Sequence, residues 1–212
     1  MRVVGSGAAL LLLGLAAGCA NAQPGADPAS GAGQVVTQPV IPLECRPSER
    51  MPLAGRASPY DSVDIVVGSE RLRICYGRPY AQGREIFGGL VPWDRLWRTG
   101  ANEPTIMHLP FTASVAGITV PPGSYSIYTE PGQTEWTLII NRSTSQWGHE
   151  SSYTDAIRGQ ELGRASVATE RLDQFVEQFT IRGEPISPGG HVLLEWERTR
   201  ARIPVTVLEP SG

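Results

Sequence analysis

Gly and Pro break this chain into short pieces before any hydrophobic pattern is read. They supply 24 and 18 of its 212 residues, close to one position in five, which is too many turn formers for a helix bundle. Between the breaks the apolar residues alternate. Val63, Ile65 and Val67 point one way, and after Gly68-Ser69 the alternation resumes at Leu72, Ile74 and Tyr76, the pattern of a hairpin with one buried face. The β-rich runs 124–129 and 135–140 flank Glu130-Pro131-Gly132-Gln133, read as a turn of type II character in which Gly132 supplies the positive φ. Weaker strands are expected at 105–109, 112–115 and 118–120. Residues 191–196 and 200–207 read as a last hairpin, with Ala201, Ile203 and Val205 inward and Arg200 and Arg202 toward solvent. Leu172, Phe175, Val176 and Phe179 have the helical spacing i, i+3, i+4, i+7 and predict one short helix, while 178–182 fits a strand. The expected fold is all-β, an antiparallel β-sandwich of about ten short strands with a long loop over one end and one short helix; a closed barrel is the alternative.

With 41% hydrophobic and 18% charged residues the chain can bury a core of its own, which excludes disorder throughout. A net charge of -3 and a pI near 5.7 lack the basic footprint of a protein that grips phosphate backbones, so no nucleic acid partner is expected. All 18 basic residues are Arg.

The N-terminus carries an address. Arg2 precedes an apolar run around Ala8 to Ala17, too short for the roughly 18 to 20 residues of a spanning helix and right for a secretory signal over residues 1–18. Two cleavage sites compete. Leu15-Ala16-Ala17-Gly18-Cys19 resembles a bacterial lipoprotein box, which makes Cys19 the lipidation site, and Ala20-Asn21-Ala22 is an ordinary small-x-small site. The first reading puts the protein in the bacterial cell envelope, tied to a membrane by a lipid on Cys19; the second makes it periplasmic or secreted. Residues 19–42 are poor in large apolar side chains and read as a flexible tether, leaving 43–212 as a single β-sandwich domain. Either cut leaves Cys45 and Cys75 as an even pair in an oxidising compartment, which permits a disulfide without demanding one; the bonded pair is the prediction, and two buried free thiols are the alternative.

Candidate function gathers between Tyr76 and Glu103. That segment holds five Gly and is long for a connection inside a compact domain, where long loops are usually functional or disordered. Ile86, Phe87, Leu90, Trp93 and Trp97 argue against disorder. The loop is therefore expected to pack over one mouth of the sandwich and to present a cleft for a small polar or anionic ligand. Arg recognises carboxylate or phosphate as a fork and stacks on aromatic rings, so the candidate ligand-binding residues are Tyr76, Arg78, Arg84, Trp97, Arg98, Asn102 and Glu103, with Trp147 from a later segment. A plainer reading makes Arg98 and Glu103 a desolvated ion pair that fixes the loop, Trp93 and Trp97 core plugs, and Gln146-Trp147-Gly148 with Tyr153 a cap on the second hairpin.

Other chemistry is weakly marked. His108, His149 and His191 are scattered and the Cys residues are not spaced as CxxC, so neither a metal nor a cofactor is expected. No Gly-x-Ser-x-Gly elbow exists, and His149, Ser151 and Asp155 lie close along the chain for a triad. Phe87-Gly88-Gly89 lacks the Lys-Ser/Thr of a phosphate loop. Glu85, Asp94 and Glu103 keep a hydrolase open, since a glycosidase needs two carboxylates about 5 to 9.5 Å apart.

A family resemblance rests on Tyr76-Gly77-Arg78-Pro79, Gly83-Arg84, Ile86-Phe87-Gly88-Gly89-Leu90-Val91-Pro92, Trp97-Arg98-Thr99-Gly100-Ala101-Asn102-Glu103, Pro122-Gly123 with Tyr125, Pro131-Gly132 with Trp136, and Gln146-Trp147-Gly148. Over roughly Ser58 to Leu208 the chain resembles a bacterial secreted domain family catalogued as a domain of unknown function, DUF2911. Two positions depart from its pattern: Tyr60 stands where His is frequent, and His149 follows Trp147-Gly148. The resemblance implies domain boundaries and a secreted location and brings no activity with it. Arg and aromatic residues outnumber acid-base groups in the loop, which favours a ligand-binding module; a hydrolase using loop carboxylates and a structural envelope protein with no ligand are the alternatives.

Overall fold

Alternation and a two-residue turn build the first hairpin as expected. In the computed structural model, which describes residues 41–209, β1 (Tyr60–Val67) and β2 (Glu70–Gly77) pair with Val67 opposite Glu70. Ile65, Val67, Leu72, Ile74 and Tyr76 are all buried. The sheet continues through β3 (Thr105–Leu109), β4 (Ala113–Val115), β5 (Ile118–Val120), β6 (Gly123–Pro131), β7 (Glu135–Asn141), β8 (Glu161–Pro185) and β9 (Gly190–Val207). All pairings are antiparallel, in the order β1-β2-β3-β6-β7-β8-β9-β4-β5. The fold is all-β and sandwich-like.

Its strands number nine, and two of them are long. β8 pairs with β7 through Ala168 and with β9 from Thr169 onward, so one strand serves two parts of the sheet. The sheet turns at that point and brings β1 against β8 and β9. Ile65, Leu72, Met107, Ile127, Leu138, Leu194 and Ile203 share the enclosed core.

Three expectations change. The helical spacing at Leu172, Phe175, Val176 and Phe179 lies within β8, because β8 runs five residues from Arg171 to Val176 while β9 runs two from Thr199 to Glu197, and the register shifts again before Thr180. Such bulges replace the period of two with an uneven one: Phe179 is buried while Phe175 is 48% exposed. The only α-helix among the described residues is instead α1 (Asp155–Arg158), capped by Thr154. Residues 191–196 and 200–207 form one continuous β9 rather than a hairpin; no Gly, Pro or Asn lies between Trp196 and Arg200, and Glu197 absorbs the irregularity with φ 51°. The inward set Ala201, Ile203 and Val205 is buried as expected. Gly132 is absent from the positive-φ residues. What requires glycine there is proximity, since a Cβ would lie 2.4 Å from the Glu135 carbonyl oxygen.

The segment before β1 is strapped to the sheet. Cys45 is bonded to Cys75, with Cα atoms 5.6 Å apart, and Arg73 Nη1 donates to the Leu43 carbonyl at 2.6 Å. The signal 1–18, Cys19 and the tether through residue 40 lie outside the described residues. No helix among the described residues is long and apolar enough to cross a membrane.

Candidate functional site

The long loop after β2 is ordered by borrowed strand pairing. Trp97 exchanges two backbone hydrogen bonds with Thr129 of β6 (2.7 and 2.9 Å), Asp94 N–H donates to the Pro131 carbonyl (2.8 Å), and Ala81 N–H donates to the Glu177 carbonyl on β8 (2.7 Å). Its aromatic residues then turn inward. Trp97 stacks on Trp196 with ring centroids 6.0 Å apart and planes 19° apart, and Phe87, Trp136 and Phe179 close the cluster. Gln82, Asp94, Thr99 and Asn102 hold φ between 52° and 67°, left-handed backbone that non-Gly residues adopt at a cost. Thr99, β-branched and fully buried, is held there because Thr105 Oγ1 donates to its carbonyl at 2.6 Å and its own hydroxyl meets Thr129 Oγ1 at 3.1 Å.

Over this aromatic base lies a cleft of about 760 Å³, within the range that receives small molecules. Pro79, Tyr80, Gln82 and Arg84 line it together with Glu150, Tyr153 and Arg158, and Ala57 and Ser58 of the strap form part of the rim. Arg84, Arg95, Arg98 and Arg158 line it against Asp94, Glu130 and Glu150. Two of the carboxylates are engaged, Glu130 with Arg164 at 3.0 Å and Glu150 with Arg98 at 3.7 Å. Arg84 Nε and Nη2 donate to the carbonyls of Ala81 (3.0 Å) and Tyr80 (2.6 Å). The Arg158 guanidinium lies 5.4 Å from the centroid of the Tyr153 ring. Tyr153 accepts from Asn141 Nδ2 at 3.1 Å and donates to Glu161 Oε1 at 2.8 Å; burial, outweighing the Asn141 bond, pushes its hydroxyl well above the usual tyrosine range.

The expected site residues divide. Arg84, Trp97 and Arg98 line this cleft; Tyr76, Arg78, Asn102, Glu103 and Trp147 do not. Tyr76 belongs to the core, where its hydroxyl accepts from the Ile181 backbone N–H at 2.9 Å. Arg78 fastens β8 to the loop by bonding Asp61 (2.8 Å), the Phe179 carbonyl (3.3 Å) and Thr180 (3.2 Å). Glu103 is buried, and its partner is Arg56 rather than Arg98. Two bonds of 2.9 Å join the guanidinium to the carboxylate, and Ser48 N–H donates to Oε1 at 2.8 Å. The pairing of Arg98 with Glu103 therefore does not form. Of Glu85, Asp94 and Glu103, only Asp94 reaches the cleft, so that trio supplies no carboxylate pair there. Arg95, Glu130, Glu150 and Arg158 also line the cleft without standing among the expected residues. Arg95 lies inside the loop between Tyr76 and Glu103, whereas the other three reach the cleft from separate parts of the sequence and carry no local signal.

A smaller cleft of about 230 Å³ lies under the strap, lined by Tyr60, His108, Ser124 and Thr144 among others. His108 Nδ1 is 2.8 Å from Ser124 Oγ, and burial, followed by the nearby Arg73 charge, lowers the pKa of the imidazole. The Tyr60 hydroxyl is pushed up to about 12 by burial first and by Glu103 second. His149 Nδ1 lies 2.8 Å from Ser151 Oγ and also accepts from the Ser151 backbone N–H, an exposed local cap on the 3-10 turn at Glu150–Ser152. Among the described residues no three His, Cys, Asp or Glu side chains group as metal ligands.

No curated protein and no solved structure matches the chain. The family model described as "Protein of unknown function (DUF2911)" matches residues 58–205, which takes in β1, the whole loop, both clefts' sheet residues and nearly all of β9. On that match, the chain belongs to the DUF2911 family.

Proposed function

We propose that the domain is a binding module for a small anionic ligand, held in the main cleft. The observation that carries this reading is the placement of Arg84, Arg95, Arg98 and Arg158 around a cleft of about 760 Å³ over a rigid aromatic base. Guanidinium groups recognise carboxylate and phosphate oxygens in fixed geometry, and two of the three lining carboxylates already have Arg partners. A concave site is also what a purely structural envelope protein has no use for. The sequence at Leu15 to Cys19 supports a lipid anchor on Cys19 in the bacterial cell envelope, which makes the domain a tethered receptor; a Cys19→Ala form should then be released in soluble form. Binding is tested by melts of the purified protein with a panel of small carboxylates, phosphates and neutral sugars. A ligand at a hundred times its Kd raises stability by about 2.7 kcal/mol. A panel in which no anion shifts the melt refutes the reading.

A further inference from the structure

The four cleft arginines are not equivalent. Arg84 gives its donors to backbone carbonyls, Arg158 lies over Tyr153, and Arg95 is exposed. Arg98 differs from all of them. Its side chain is 23% exposed, its Nε is shielded from solvent with no partner, and its guanidinium hydrogen-bonds to none of the described residues. Its one charge contact, Nη1 to Glu150 Oε1, measures 3.7 Å, too long for a hydrogen bond. A guanidinium so placed has lost water from one donor without gaining an acceptor.

Glu150 is the acid of the cleft that contacts Arg98. Glu130 is held by a 3.0 Å hydrogen bond from Arg164, whereas Glu150 has only this loose contact and sits on the three-residue turn Glu150–Ser152. The backbone beside Arg98 cannot follow a moving partner, because Thr99 is locked by Thr105 and Thr129. The more exposed member of the pair, held by no hydrogen bond of its side chain, is thus Glu150, and the cation stands on the locked backbone.

Resting on the reading of the cleft as an anion site, we propose that Arg98 is the anchor for a ligand carboxylate and that Glu150 is a resident competitor, occupying the charge of Arg98 until an external carboxylate displaces it. The external group gains a fork of two charge-assisted hydrogen bonds from the terminal nitrogens Nη1 and Nη2, where Glu150 makes none. A planar carboxylate matches what the resident group already is. Asp94 and Glu130 at the same cleft are acceptors for hydroxyl or amino groups elsewhere on the ligand, so the class favoured is a small hydroxy or amino carboxylate, with acidic sugars included.

The test is calorimetric titration of the full chain, purified in detergent, with galacturonate and glutarate, against galactose and glutaramide as neutral counterparts and inorganic phosphate as a non-carboxylate anion. The expected result is carboxylate binding that tightens about fivefold in Glu150→Gln, the scale of a partly exposed ion pair that no longer competes. Binding should be lost in Arg98→Ala and weakened at least tenfold in Arg98→Lys, which keeps the charge and loses the fork. Carboxylate binding that is unchanged or weaker in Glu150→Gln overturns the competitor role while leaving the anion cleft standing. Binding retained in Arg98→Ala overturns the anchor. Phosphate binding without carboxylate binding overturns the ligand class alone, and no anion binding to either wild type or Glu150→Gln removes the parent reading as well.

Discussion

Arg56 and Arg98 make a controlled comparison, because the same residue type borders the same loop in two different states. Arg56 and Glu103 have side chains 2% and 7% exposed, joined by two 2.9 Å hydrogen bonds. Arg56→Ala strands the Glu103 carboxylate in that site and removes the Arg56 bonds to the Pro52 and Met51 carbonyls. Breaking a buried pair from one side costs about 3 to 5 kcal/mol. Arg98→Ala removes no hydrogen bond among the described residues and one 3.7 Å contact to a carboxylate that is 36% exposed, so its cost should stay under about 1 kcal/mol. With a urea slope of about 2 kcal/mol/M, the midpoint should fall by about 1.5 to 2.5 M for Arg56→Ala and by less than about 0.5 M for Arg98→Ala. Urea melts followed by tryptophan fluorescence read both, and the buried Trp136 and Trp196 report the core directly. Equal midpoint losses, or a larger loss in Arg98→Ala, would refute the assignment of Arg56 as clamp and Arg98 as ligand anchor.

Three further outcomes follow from the same geometry. Replacing Cys45 and Cys75 together with Ser should lower stability by about 3 to 4 kcal/mol in the chain-entropy model for residues 30 apart; an unchanged urea midpoint would show that the strap is not held by the disulfide. Gly148→Ala should cost at least about 1 to 3 kcal/mol, since a Cβ would lie 2.2 Å from the Asn102 carbonyl oxygen and 2.8 Å from Arg98 Cδ, and a wild-type melt would contradict it. Glu161 is held below the usual carboxylate value of 4.5, by hydrogen bonds from Arg164 first and despite partial burial. Its folded form thus binds a proton less readily than its unfolded form, so its contribution is full above about pH 4.5 and is lost as pH falls through the lower folded value. Glu161→Gln should flatten that acid-side loss in a pH series of melts, and an unaltered slope counts against the bond.

Much of the sheet was legible because a half-buried strand writes a period of two into the sequence. Val63 to Tyr76 and the inward trio Ala201, Ile203 and Val205 needed nothing else. Reading failed where two strands stopped matching residue for residue. The bulges between Arg171 and Thr180 give apolar spacings that mimic a helix, and period alone cannot separate the two. The Gly132 turn failed differently: glycine was right, but a close carbonyl, not a positive φ, demanded it. At the cleft, the loop and its Arg residues were visible as composition, and partners were not. Glu103 pairs with a residue 47 positions earlier, and Arg98 faces one 52 positions later by number.

Partnership is what separates an arginine that builds the cleft from one that is available to it. Arg56, Arg78 and Arg84 donate to carboxylates, hydroxyls or carbonyls of this chain, and each thereby fixes the strap, β8 or the loop. Arg98 is positioned by its neighbours, with Thr99 locked behind it and Gly148 packed against its Cδ, yet its guanidinium fixes nothing in return. Side chains of the first kind set stability and act on affinity only through the shape of the cleft; a side chain of the second kind sets affinity directly and leaves stability nearly untouched. The strap carries this division across the molecule, because the Cys45–Cys75 bond and the Arg56–Glu103 pair hold the segment that brings Ala57 and Ser58 to the rim. Loosening either clamp should therefore widen the rim before it disturbs Arg98. Ligand affinity in the clamp variants should then decline through the shape of the cleft, with the charge preference for anions retained.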